Sequence, residues 1–157
     1  MSIWLYPFSL GDLDAMNRKT AAEHVGIRFT AFGDNWLEAT MPLDARTQSE
    51  PGTMHRGALA ILAETLGSQA ANLCVDQSRQ VAVGQILHLN HPVEVTSGPI
   101  CGRALPLSRN NLSQVWEIDI RDSADARLCV AQLTMAVLDR PSAGAILKNT
   151  AVEIPRS

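Results

Sequence analysis

The chain has 157 residues, 46% of them hydrophobic and 18% charged. A chain of this length makes one domain with a sizeable core, and so apolar a composition excludes a disordered protein. Its 13 basic and 16 acidic residues leave a net charge of −3, which excludes the basic footprint of a nucleic-acid binder. No apolar run reaches the ~18 residues of a membrane span. Residues 1–8 have no basic start and too short an apolar stretch for a secretion signal. Cys74, Cys101 and Cys129 lie far apart without zinc-type spacing and read as buried thiols in a reducing compartment. A cytoplasmic protein with no nucleic-acid or membrane partner is expected. With few charges to cover the surface, a homo-oligomer is expected as well.

Ser9, followed three residues later by Asp12, predicts a capped helix running to about Arg18. One further turn is expected at residues 21–24, ended by Gly26. Residues 27–32 and 36–41 read as strands joined by Gly33-Asp34-Asn35. In the second strand Leu37, Ala39 and Met41 share one face. Residues 44–54 read as a loop broken by Pro51 and Gly52.

Residues 57–75 are too long for a strand and rich in Ala and Leu, so they predict a helix. From Ala58 to Ala63 this helix is apolar on every side, the mark of a buried central helix. Residues 80–89, 100–107, 114–121 and 127–138 then read as strands. Their short connections suit antiparallel pairing. The expected fold is α+β: an antiparallel five- or six-stranded sheet wrapped around one long central helix. Residues 1–140 form a single domain with a short N-terminal helix, and 141–157 form a C-terminal tail.

One residue breaks the central helix. Glu64 follows six apolar positions, where burial is expected to be deepest, and a buried carboxylate must be paired, protonated or useful. Ser68, four residues on, shares its face. His55, Arg56 and Gly57 stand at the helix start, where backbone N–H groups lack intrahelical partners and suit developing negative charge. A carboxylate, a histidine and amide donors together suit acyl transfer or hydrolysis, with Glu64 as base or nucleophile. From the Arg56 and Gly57 amides to Glu64 is roughly 10–12 Å along the helix. Both cannot lie within ~3 Å of one carbonyl group. If both act, two subunits share the site. His88 and His91, three apart on a strand, face opposite ways and have no third ligand, so no metal is expected.

Met54-His55-Arg56-Gly57-Ala58 and Leu62-Ala63-Glu64-Thr65-Leu66-Gly67-Ser68 resemble the hotdog-fold thioesterases. The branch is that of phenylacetate-pathway thioesterases, 1,4-dihydroxy-2-naphthoyl-CoA hydrolase and the proofreading thioesterase of enterobactin synthesis. Its signature is His-Gly-Gly, then Ala-Glu-(Ser/Thr)-(Ile/Leu)-Gly-Ser eight to thirteen residues after the His. The likeness extends from His24-Val25-Gly26 to Leu138. It implies a hotdog fold, dimers or dimers of dimers, an active site between subunits, and no cofactor beyond the coenzyme A of the substrate.

By this resemblance Glu64 attacks the thioester of an acyl- or aryl-CoA, directly or through water. His55 and the Arg56 and Gly57 amides hold its carbonyl, and Ser68 orients the acid or the water. A loop Gln of the family corresponds to Gln48, or without a gap to Ser49. Arg56 replaces the first Gly of His-Gly-Gly, and a left-handed backbone there would strain it. The family's Leu-Asn reads Leu87-His88, and an arginine is lost beside His91. The coenzyme A loop now reads Ser108-Arg109-Asn110-Asn111, and Arg109 is the candidate for a phosphate, with Arg103 as a second candidate. Three alternatives to acyl-CoA hydrolysis remain: a carrier-protein thioester, an enoyl thioester, or binding of an acyl-CoA or small acid without turnover.

Overall fold

The computed structural model describes residues 1–140, so the tail expected at 141–157 lies outside the described residues. Ser9 opens helix α1 (Leu10–Met16) as a capping box. Its hydroxyl accepts the Asp12 N–H at 3.2 Å, and Asp12 Oδ2 accepts the Ser9 N–H at 2.8 Å. The helix stops slightly early, with Asn17 as its C-cap. A single turn, α2 (Ala21–His24), leads to Gly26 at φ +80°, a left-handed position that a side chain would resist.

Strands β1 (Arg28–Phe32) and β2 (Leu37–Met41) form the expected hairpin, with Leu37, Ala39 and Met41 fully buried on one face. The stretch read as a loop holds a further short hairpin, β3 (Gln48–Glu50) and β4 (Thr53–Met54). Strands of two or three residues are too short for alternation to reveal them. Helix α3 (Arg56–Leu73) follows, and then β5 (Gln80–Asn90), β6 (Ile100–Arg109), β7 (Ser113–Arg121) and β8 (Arg127–Asp139). Six antiparallel strands make one sheet in the order β1-β2-β6-β7-β8-β5. Trp116, Ile118, Ile120, Leu133 and Met135 belong to one core with Leu59, Leu62 and Leu66 of α3. This is the expected hotdog architecture.

Three observations correct or sharpen the sequence reading. Helix α3 is not buried all round: Ala60, Ile61, Glu64, Thr65 and Ser68 are half-buried, because this stripe faces a cavity instead of the sheet. Strand β5 is an edge strand eleven residues long, with Val83 and Ile86 37% and 51% exposed. Of the three free cysteines only Cys129 is fully buried, while Cys74 and Cys101 are half-covered. No helix among the described residues is long and apolar enough to cross a membrane.

Candidate active site

Glu64 projects from the middle of α3 into a cavity of about 560 Å³, lined also by Ala60, Ile61, Ser68, Leu87 and Asn17. One turn on, the Ser68 hydroxyl donates to Glu64 Oε1 at 2.9 Å. Helical spacing of four residues creates this pair directly. Gly84 of β5 closes over the carboxylate: a Cβ there would stand 2.5 Å from Glu64 Oε1. Asn72, another turn along, locks the two elements together. Its amide donates to the carbonyls of Ser68 and Ala82, both at 2.9 Å, and accepts the Ala82 N–H at 3.0 Å. Sequence reasoning missed both supports. The spacing of Asn72 from Ser68 was an available signal, whereas a glycine leaves none.

At the helix start, His55 is the N-cap of α3, and its Nδ1 accepts the Gly57 N–H at 2.9 Å. A neutral imidazole that accepts at Nδ1 carries its proton on Nε2, so an outward donor remains. The ring lies so close over Gly57 that a Cβ would be 2.8 Å from Nδ1. The Ala58 N–H bonds to the His55 carbonyl at 2.9 Å. The Arg56 N–H has no partner among the described residues. Thus Gly57 spends its amide on His55, and Arg56 keeps its own free. Arg56 also has ordinary helical backbone, so its side chain brings no left-handed strain.

His55 and Arg56 line a second cavity of about 300 Å³ with Ser49, Glu50, Leu59 and Glu94. Gln48 is half-buried beside it, its Oε1 accepting the Gly52 N–H at 3.2 Å. The β3–β4 register shifts between Gln48 and Glu50, so Ser49 is the extra residue of a bulge.

The remaining candidates lie elsewhere. Leu87 lines the Glu64 cavity, so its neighbour His88 projects to the other face of β5. His91, past the end of β5, lines neither cavity. Arg109 sits toward the far end of α3 beside Cys74, its Nη1 3.5 Å from the Ile3 carbonyl. Burial raises the Cys74 thiol pKa, and the Arg109 guanidinium partly offsets it. Arg103 pairs with Glu38 at 2.8 Å and lies 4.4 Å over Trp36. Among the described residues no three His, Cys, Asp or Glu side chains gather as metal ligands.

A sheet wrapped on one helix, with an acid mid-helix and unpaired donors at its start, defines a hotdog-fold enzyme of acyl chemistry. Residues 51–129 match the thioesterase superfamily. The chain is 42% identical over 136 residues to the proofreading thioesterase EntH of Cronobacter turicensis, covering 87% of this chain and 98% of that one. Among solved structures, a thioesterase of Haemophilus influenzae superposes with a TM-score of 0.86 at 38% identity, covering 90% of this chain and 98% of that one. A thioesterase of Pseudomonas aeruginosa gives 0.86 at 37% identity, covering 88% and 100%. The chain belongs to the thioesterase superfamily and is a hydrolase of that type.

Proposed function

We propose that the protein hydrolyses an acyl- or aryl-CoA thioester to the free acid and coenzyme A, at a site shared by two copies of the chain. The observation that carries this reading is the division of the machinery. Glu64 and Ser68 line one cavity, and His55 and Arg56 line another. Eight residues of helix separate Arg56 from Glu64, roughly 12 Å. A thioester carbonyl reached by both sets therefore needs the helix start of one subunit and the acid of the other.

Strand β5 supplies the contact. A long edge strand with exposed apolar side chains is a ready template for a second strand. Two β5 edges pairing antiparallel would cover Val83 and Ile86 and bring two α3 helices side by side. On this reading no cofactor beyond coenzyme A takes part, because the two halves together hold an acid, the free Arg56 amide and the His55 imidazole.

In direct attack, a Glu64 oxygen bonds to the thioester carbonyl carbon while the free N–H of the partner's Arg56, with the outward imidazole N–H of the partner's His55, takes the developing oxyanion. The C–S bond breaks, and the thiolate leaves and takes up a proton. Water then opens the mixed anhydride, releasing the acid and restoring the Glu64 carboxylate. In the water-mediated route Glu64 takes a proton from water, hydroxide attacks, and that proton passes to the departing thiolate. Ser68 serves either route by fixing the Oε1 position.

Thiol release from a panel of acyl- and aryl-CoA esters tests the reading, with Glu64→Ala as control. Turnover that disappears in a folded Glu64→Ala protein supports it. Equal turnover in both proteins rules out Glu64 as the catalytic acid.

A further inference from the structure

Strand β5 lies at the edge of the sheet, so alternate residues turn their backbone N–H and C=O away from β8. Ala82 is one of these. Its register partner Val137 donates to the Leu112 carbonyl at 2.9 Å, on the side away from β5, so the two do not bond to each other. One side chain takes the edge groups of Ala82 instead. Asn72 Oδ1 accepts the Ala82 N–H at 3.0 Å, and Asn72 Nδ2 donates to the Ala82 carbonyl at 2.9 Å. The amide thus bonds to β5 as a residue of a neighbouring strand would. Gln80 is closed in the same way. Its N–H donates to the Asp76 carbonyl at 2.7 Å, and its carbonyl accepts from Arg140 Nε at 3.1 Å.

Past Ala82 the edge changes character. Ala82 is 4% exposed, whereas Ile86 is 51% exposed. From Gly84 to Asn90 the backbone makes no bond outside the β8 ladder among the described residues. The edge is therefore divided into a closed end at Gln80 and Ala82 and an open run, Gly84–Asn90. An unpaired run of this kind is a template for another strand. Two copies of one run, paired antiparallel about a two-fold axis, overlap fully when their middle residues coincide. The middle residue of Gly84–Asn90 is Leu87.

We propose that Asn72 is a positioning residue for hydrolysis: by closing the β5 edge at Ala82 it confines the second copy's β5 to Gly84–Asn90, in the register centred on Leu87. This rests on the reading above, in which two β5 edges pair and share the site. Opposed residues of paired strands share a face, so the register changes only in steps of two residues, about 6.8 Å. Such a step carries the partner's Arg56 amide away from the carbonyl that Glu64 attacks, where a misplacement of about 1 Å already slows reaction. Alanine at position 72 reopens the Ala82 groups. A second strand satisfies them by sliding one step toward the closed end, so that residues 82–90 pair and the centre moves to Ile86.

Disulfide trapping reads the register without turnover. Ile86 and His88 bond to Thr134 and Gln132 of β8. Across the open edge they therefore form the close, non-hydrogen-bonded pairs, with Cα atoms about 4.5 Å apart, where a disulfide closes. In the register centred on Leu87, Ile86 faces the partner's His88. Under mild oxidant the double variant Ile86→Cys/His88→Cys should run as a covalent dimer on a non-reducing gel. Ile86→Cys alone should not, and neither should the parent with its own Cys74, Cys101 and Cys129. Adding Asn72→Ala should make Ile86→Cys link to its own copy. It should also lower kcat about 10-fold or more, at a KM within about threefold of the parent. Oxidising Asn72→Ala in the double variant traps the dimer centred on Leu87. Its kcat should return to within about threefold of the cross-linked parent, a recovery that a purely structural loss would not show. Asn72→Ser, too short to reach both Ala82 groups, is the second variant where Asn72→Ala does not fold.

Self-linking of Ile86→Cys with Asn72 in place overturns the proposal and leaves the β5 contact standing. Cross-links and kcat unchanged by Asn72→Ala overturn it as well, as does a trapped Asn72→Ala dimer no faster than the reduced protein. A dimer in which neither the single nor the double variant cross-links overturns both the proposal and the β5 contact. The expected cross-links without thiol release reject hydrolysis and leave the register intact.

Discussion

The Gly84 backbone and the Glu64 carboxylate are so closely apposed that a single added methyl group would overlap them, with 2.5 Å between the Cβ position and Oε1. The obstructed atom is the end of a flexible side chain. Gly84→Ala should therefore leave the fold intact and swing the carboxylate away from Ser68. A displacement of about 1 Å at a reacting group costs on the order of 100-fold. The expected result is thus a fall of about that size in kcat, with thermal unfolding within a few degrees of wild type. Wild-type kinetics in Gly84→Ala would mean that the position of Glu64 is not what the strand sets.

The Arg56 N–H can be removed without disturbing the helix. Arg56 occupies the first helical position, where proline is tolerated because that N–H has no intrahelical acceptor. His55, the residue before it, has φ −67° and ψ 130°, which a following proline accepts. Arg56→Pro deletes the amide donor, and Arg56→Ala deletes only the side chain. Loss of one oxyanion donor costs roughly 10²- to 10³-fold in kcat. Arg56→Pro should show that loss and Arg56→Ala should stay within about threefold of wild type. Equal effects would assign the role to the side chain.

Much of this was legible in the sequence. Ser9 and Asp12 announced α1, alternation in residues 37–41 named the buried face of β2, and the six apolar residues before Glu64 marked the central helix. The sequence could not say which apolar residues face the core and which face a cavity. Ala60 and Ile61 have the same chemistry as Leu59 and Leu62, yet they leave the acid in an open hollow. Gly84 was also hidden, because its role is the absence of a side chain. The sequence places Asn17 inside a helix expected to run to about Arg18, and only the packed structure shows it as the C-cap, its Nδ2 without a partner among the described residues.

The approach to β3 carries an acid-sensitive contact. Hydrogen bonds from the Arg46 side chain and backbone hold the Asp44 carboxyl well below its ordinary range, at about 2. Arg46 Nη2 lies 2.6 Å from Asp44 Oδ2. The folded pKa is below the unfolded one, so the contribution is present above about pH 4 and is lost as the pH falls toward 2. The pair is exposed, so the effect is small and weakened by salt. Urea unfolding from pH 6 to pH 2 should show Arg46→Ala less stable than wild type at pH 6, with the gap narrowing toward pH 2. A gap independent of pH would exclude the ion pair as its source.

The divided machinery makes a prediction that a self-contained site could not meet. Glu64→Ala and His55→Ala each remove one half, so each protein alone should be inactive. A mixed dimer has one defective site, missing both groups, and one intact site that takes Glu64 from one chain and His55 from the other. Equal amounts, unfolded and refolded together, give half mixed dimers by random pairing. About a quarter of wild-type activity should therefore return. Ile86, 51% exposed on the β5 edge, stands at the proposed contact between the two copies. A charge at the centre of two paired edges is strongly unfavourable, so Ile86→Lys should elute as a monomer and lose turnover even with both catalytic groups present. Full activity in a monomeric Ile86→Lys protein, or no recovery in the refolded mixture despite dimer formation, would place both halves of the site within one chain.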